Sequence, residues 1–217
     1  MNKLISQNQC DAHTENKEKD AAPQPKRGRK RDPERDTVIL NAAIDILAEC
    51  GYDGMTMGMI ASRAKAGKAT VYRRWNSKEE LILDAVAHLK RAQVDKENLP
   101  DTGTLRGDIL ALFKMQSVEE SERNMRVMAG VASLLLQNPQ LADLGDAAII
   151  EPWTDINRLL IQRALDRGEI SESADIHAAS QLIPSMAAYR ALIQRKPFDV
   201  QFLTMMVDGL LLPALRK

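Results

Sequence analysis

Aromatic side chains make up only 4% of the 217 residues, and cysteine occurs twice. A core of that composition has to be assembled from Ala, Leu, Ile, Val and Met, residues compatible with helix, so the chain reads as all-α. Cys10 lies in a polar first stretch and Cys50 at the end of a helical pattern. They form neither a disulfide framework nor a metal-ligand cluster, which suits a reducing cytoplasm. No apolar run reaches the roughly 18 residues of a membrane span; "GVASLLL" is bounded by Arg126 and Gln137. The first 20 residues lack an apolar h-region, so no secretory signal is expected. Net charge is also absent, with 30 basic and 30 acidic residues.

Catalytic patterns are missing as well. His13, His88 and His177 stand apart from one another and from any Cys or carboxylate at ligand spacing. No phosphate-cradling glycine motif and no nucleophile elbow occur. "EESE" at 119–122 reads as a solvated helix end, with Glu122 near the N-terminus of the following helix. Neither an enzyme nor a metal- or cofactor-binding protein is expected.

What is present is unevenly distributed. From Lys26 to Asp95 the bases exceed the acids by 4, whereas from Lys96 onward the acids exceed the bases by 3. A basic first half on an acidic second half points to a polyanion partner for the first alone. Residues 1–32 read as a disordered tail carrying "KRGRKR" at 26–31, either an arm for a DNA groove or a solubilising extension. After Pro33 the spacing of Val38, Ile39, Ala42, Ala43, Ile46, Leu47 and Cys50 gives one apolar helical stripe, stopped at Gly51. Thr56 is an N-cap for a short helix over 57–64, residues 65–67 form a turn, and a second short helix covers about 68–75. Ser77 and Glu80 then open a longer helix with a capping box. Beyond Pro100 the pattern predicts helices over 105–118, 123–136, 145–167, 174–193 and 199–212.

Two short helices across a three-residue turn, the second basic on its outer face, are a helix-turn-helix, spanning about 56–75. Val71 and Trp75, four residues apart, face inward; Gly67, Lys68, Ala69, Thr70, Tyr72, Arg73 and Arg74 face a major groove and its backbones, and Lys78 reaches the same strand. Thr56, Met57 and Lys65 complete the candidate DNA-facing set. For the second half, Phe113, Met115, Met125 and Met128 supply adaptable apolar surface for a pocket, and Trp153 and Asn157 add a polar handle.

"GYDGMT", "MIASRA", "ATVYRRW" and "SKEEL" occur in that order at characteristic spacing, and over about 37–93 the chain resembles the tetracycline-repressor-like (TetR/AcrR) regulators. The resemblance implies a three-helix DNA-binding head at 33–95 and a helical effector-binding and dimerisation domain at 100–217, about nine helices in all. It further implies a cytoplasmic homodimer that binds a palindromic operator, represses transcription, and is released by a small apolar or amphipathic effector. The dimer interface implied is Ala178, Gln181, Leu182, Ser185, Ala188, Tyr189, Phe202, Met206 and Leu210, and the small residues of "AASQLIPSMAAYRALI" suit close helix approach. The sequence departs from the family pattern at Met59, which stands where an acidic capping partner is usual, at Gly58 inside the short helix, and at Lys65, which stands where the turn usually has glycine. An activator or architectural DNA-binding protein without an effector is the alternative, and it requires a body packed too tightly to hold a cavity.

Overall fold

In the computed structural model, residues 33–93, 96–114 and 116–216 are described. The tail with its basic arm, and Met115, lie outside them. Every described residue is in helix, turn or loop, and none is in a strand. α1 (Pro33–Gly54) carries Glu34 and Asp36 in its first turn, where the helix dipole favours acids. Its regular part stops at Gly51, whose φ of 69° a side chain would resist. α2 (Met57–Arg63), α3 (Lys68–Tyr72) and α4 (Lys78–Ala92) complete the head. α4 starts on Ser77, whose hydroxyl accepts from Glu80 N at 3.1 Å. The Glu80 carboxylate reaches back to Asn76 N at 2.8 Å, one residue earlier than a reciprocal box would have it.

α5 (Leu105–Ala111) is shorter than its apolar pattern. α6 (Val118–Gln137) begins earlier than the sequence suggested, because Ser117 and Glu120 form a complete capping box. "EESE" is therefore the first turn of this helix and not the end of the preceding one. The long helix expected over 145–167 is two, α7 (Ala142–Ile149) and α8 (Glu151–Asp166). Pro152, which has no amide hydrogen to continue the ladder, sits in the first turn of the second. α9 (Ile176–Leu192) follows with Pro184 inside it. α10 (Val200–Met206) then passes through a wide π-turn (Val207–Leu211) into α11 (Leu212–Leu215).

Two clusters of buried side chains hold these helices. The first joins α1 to α4 (Ile39, Leu47, Ile60, Val71, Leu81, Val86) with Val127, Val131 and Leu134 of α6 and Ile149 of α7. The second joins α5 and α8 to the last helices through Leu105, Leu160, Ile161, Ile183, Met206 and Leu211. The core of the head thus continues into the body, with α1 lying on α6. At their crossing a Cβ on Gly130 would stand 2.5 Å from Leu47 Cδ1, so any side chain there would force the buried Leu47 to shift.

The second cluster is anchored by Asp108, which is fully buried. It accepts from Thr102 N at 2.6 Å, Thr102 Oγ1 at 2.8 Å and Arg167 Nη1 at 3.2 Å. Burial alone would raise its pKa, but the hydrogen bonds from Thr102 and Arg167 outweigh burial and hold the carboxyl below its usual range.

Candidate functional site

The turn between α2 and α3 is built from backbone hydrogen bonds. Ala66 N donates to Ala61 O at 2.8 Å and Lys65 N to Ser62 O at 3.0 Å, the paired bonds of a Schellman ending. That ending needs a left-handed residue, and Lys65 takes the position at φ 48° in place of glycine. Arg35 on α1 donates a short hydrogen bond to the Lys65 carbonyl and fixes the turn from the other side. Thr56 caps α2 through its hydroxyl, which accepts from Met59 N at 3.2 Å. Gly58 leaves room for the stem of Lys68: a Cβ there would meet Lys68 Cε at 3.2 Å. The departure at Gly58 thus lets the lysine cross over α2.

α3 is divided lengthwise. Val71 is fully buried and Trp75 is 2% exposed. Trp75 N donates to Val71 O at 3.0 Å, so helical bonding continues one step past the last regular turn. The indole Nε1 donates to Asp84 Oδ2 on α4 at 2.9 Å, which fixes the roll of α3 about its axis. On the opposite side Gly67, Lys68, Ala69, Tyr72 and Arg73 are exposed, Tyr72 at 52%, and Thr70 is half-buried. Lys65 and Thr56 are exposed beside them. Lys65, Lys68 and Arg73 are exposed and form no ion pair among the described residues.

Three residues assigned to this surface point elsewhere. Met57 is buried, because the first residue of α2 faces the head core. Arg74 turns back to α1 and pairs closely with Asp36, both side chains largely shielded. Lys78 donates to Tyr52 O at 2.9 Å and Met55 O at 3.4 Å, and its ammonium lies 3.9 Å over the Tyr52 ring. It locks α4 to the α1–α2 corner. Arg35, Asp84 and Tyr52 had no sequence signal, because their partners lie 9 to 30 residues away.

A cavity of about 550 Å³ lies between the end of α4 and the helices of the body. Phe113, Met125, Met128, Trp153 and Asn157, expected together, all line it, with Ile183 and Phe198 from elements the pattern had not connected. Ala188, assigned to a dimer face, lines the same cavity from α9. Met206 is 1% exposed and belongs to the second core, on the inward side of α10 with Leu203. Leu182 and Phe202 are half-buried, and Phe202 packs on Phe198 and under Arg190. Ala178, Gln181, Ser185, Tyr189 and Leu210 are exposed, joined by the unassigned apolar residues Ile193, Val200 and Met205.

Among the described residues no helix is long and apolar enough to cross a membrane, and no group of three His, Cys, Asp or Glu could hold a metal. A helix-turn-helix with a basic outer face, carried on a hollow helical body, is the architecture of a one-component DNA-binding regulator. The comparisons narrow that class. Residues 39–85 match the family described as bacterial regulatory proteins, tetR family, and residues 99–210 match the tetracyclin repressor-like C-terminal domain. An uncharacterized HTH-type transcriptional regulator of Mycobacterium tuberculosis is 33% identical over 184 residues, covering 84% of this chain and 89% of that protein. The DNA-binding transcriptional repressor TetR of Mycobacteroides abscessus is 30% identical over 183 residues, covering 84% and 94%. The fold is shared with the FadR regulator of Bacillus subtilis, solved with stearoyl-CoA, at a TM-score of 0.54 and 18% identity, covering 82% of this chain and 98% of that one. The chain belongs to the tetR family and is a DNA-binding transcriptional regulator.

Proposed function

We propose that the protein is a repressor that binds operator DNA as a homodimer through the outer face of α3, and that a small molecule in the body cavity releases it. The division of α3 carries the reading. Val71 and Trp75 hold it to the head, while Lys68, Tyr72 and Arg73 are left to meet phosphates and bases. The repressor named among its relatives supports the sign of regulation. The exposed apolar residues of α9 and the C-terminal helix support a second copy packed there. The cavity speaks against an architectural protein without an effector, since about 550 Å³ falls inside the roughly 300–1,000 Å³ of small-molecule sites.

The test is fluorescence anisotropy with DNA from the region upstream of the protein's own gene. Tyr72→Phe, which removes only a hydroxyl, should weaken binding by about 1 kcal/mol, roughly fivefold, with unchanged helical content and self-association. Equal affinity for wild type and variant would remove Tyr72 from the interface. Affinity that does not fall with rising salt would remove the phosphate contacts altogether.

A further inference from the structure

The cavity walls are mainly apolar, with Ile109, Phe113, Met128, Trp153, Ile183 and Phe198 among them, yet four charged residues also line it: Lys90, Lys114, Glu120 and Arg123. Three of the four are accounted for. Arg123 donates to Asp45 Oδ1 on α1 at 2.6 Å. The Glu120 carboxylate accepts from Ser117 N at 2.9 Å. Lys114 is exposed to water. Lys90, in the last turn of α4, is different: among the described residues its ammonium has neither a hydrogen bond nor an ion pair. The residue keeps some accessible surface, as a side chain facing a cavity does. Protein packed around its ammonium nevertheless pushes its pKa down by desolvation. A desolvated ammonium without a partner is costly, and an anion seated beside it in the cavity would offset that cost.

We propose that the cavity takes an amphipathic anion, a molecule with an apolar body and a single carboxylate or comparable oxyanion that pairs with Lys90. This deepens the effector reading above and rests on it. The apolar walls provide affinity without direction, whereas the one inner cation fixes which end of the molecule lies against α4. A neutral ligand of the same shape leaves the ammonium unpaired and forfeits that interaction. The charged end therefore discriminates between ligands of the same shape, which the apolar walls alone cannot do.

Two fluorescent probes of nearly the same shape separate the terms: 8-anilinonaphthalene-1-sulfonate, which is anionic, and N-phenyl-1-naphthylamine, its neutral counterpart. Each is titrated into the full-length protein and into Lys90→Met, Lys90→Gln and Lys114→Met, with circular dichroism to verify the fold. Wild type should bind the anion at least about tenfold more tightly than the neutral probe, about 1.4 kcal/mol. Lys90→Met and Lys90→Gln should bring the two within about twofold of each other by weakening the anion alone, and Lys114→Met should retain the preference. Dodecanoate should displace the sulfonate from wild type at lower concentration than dodecan-1-ol. A preference that survives both Lys90 variants, or is missing from wild type while both probes bind, overturns the anion proposal and leaves the cavity reading intact. A wild type that binds the neutral probe alone overturns the anion proposal as well, and a wild type that binds neither probe overturns both readings.

Discussion

Lys65 offers a perturbation whose two consequences run in opposite directions. Its left-handed conformation, φ 48°, costs an L-residue roughly 1–2 kcal/mol. Lys65→Gly removes that strain but gives the unfolded chain more freedom, which offsets about 0.4–1 kcal/mol. The net expectation is a gain of about 0.8 kcal/mol, or a rise of about 2–3 °C in Tm for a chain of this length. The bond from Arg35 is to the backbone carbonyl and should survive the change. Operator binding should move the other way. One cation per protomer is lost from the exposed face, so if each neutralises one phosphate the dimer's log–log salt slope should fall by about 2. Lys65→Asn separates the effects, because asparagine tolerates the left-handed region and carries no charge. It should share the weaker, less salt-dependent binding while gaining less stability. Thermal unfolding by circular dichroism and anisotropy titrations between about 50 and 200 mM salt measure both. A lower Tm for Lys65→Gly would refute the strain argument, and an unchanged slope in both variants would show that the cation does not meet DNA.

Gly130→Ala puts a Cβ 2.5 Å from Leu47 Cδ1, and overpacking there should cost about 1–3 kcal/mol in urea unfolding; an unaffected variant would mean that α1 and α6 separate easily. Asp108 has a lowered folded-state pKa, so its contribution is fully present above the ordinary carboxylate value of 3.8 and disappears as pH falls through the folded value. Asp108→Asn should therefore destabilise by about 2 kcal/mol near neutrality and by progressively less in acid, and a loss constant with pH would count against the ionised carboxylate. Ser185→Arg, on the exposed side of α9, should shift the protein toward monomer in sedimentation velocity, while Ala188→Arg should instead block the cavity probes; the reverse pattern would exchange the two faces of α9.

Local chemistry was readable in the sequence wherever the partners are close. Thr56 and Ser77 cap the helices they precede, and Val71 and Trp75 are buried four residues apart. The same reasoning placed Arg74 outward by helical angle alone, and it could not anticipate Asp36, which pulls it back onto α1. Lys78 was misassigned for the same reason, since carbonyls of Tyr52 and Met55 have no signature in side-chain periodicity. In α10 the family resemblance put Met206 in the dimer face, but it turns inward beside Leu203 and leaves Met205 outside. Phe113, Met125, Met128, Trp153 and Asn157 line one cavity, the first four by apolar surface and Asn157 as a polar group among them. Lys90 escaped notice because a lysine near a helix C-terminus is usually a solvated favourable charge.

The close crossing of Leu47 and Gly130 bears on how this regulator could be recombined. A designer wishing to fuse its DNA-reading end to a different sensor would cut between α4 and α5. That cut would strip the first core of Val127, Val131 and Leu134 and leave Leu47 facing a foreign helix with no matching glycine. The transplantable unit is therefore discontinuous in sequence: residues 33–93 together with the matching surface of α6 and α7. A chimera that keeps Gly130 and its neighbours while exchanging only the later helices should retain an intact DNA-reading end under a new sensor.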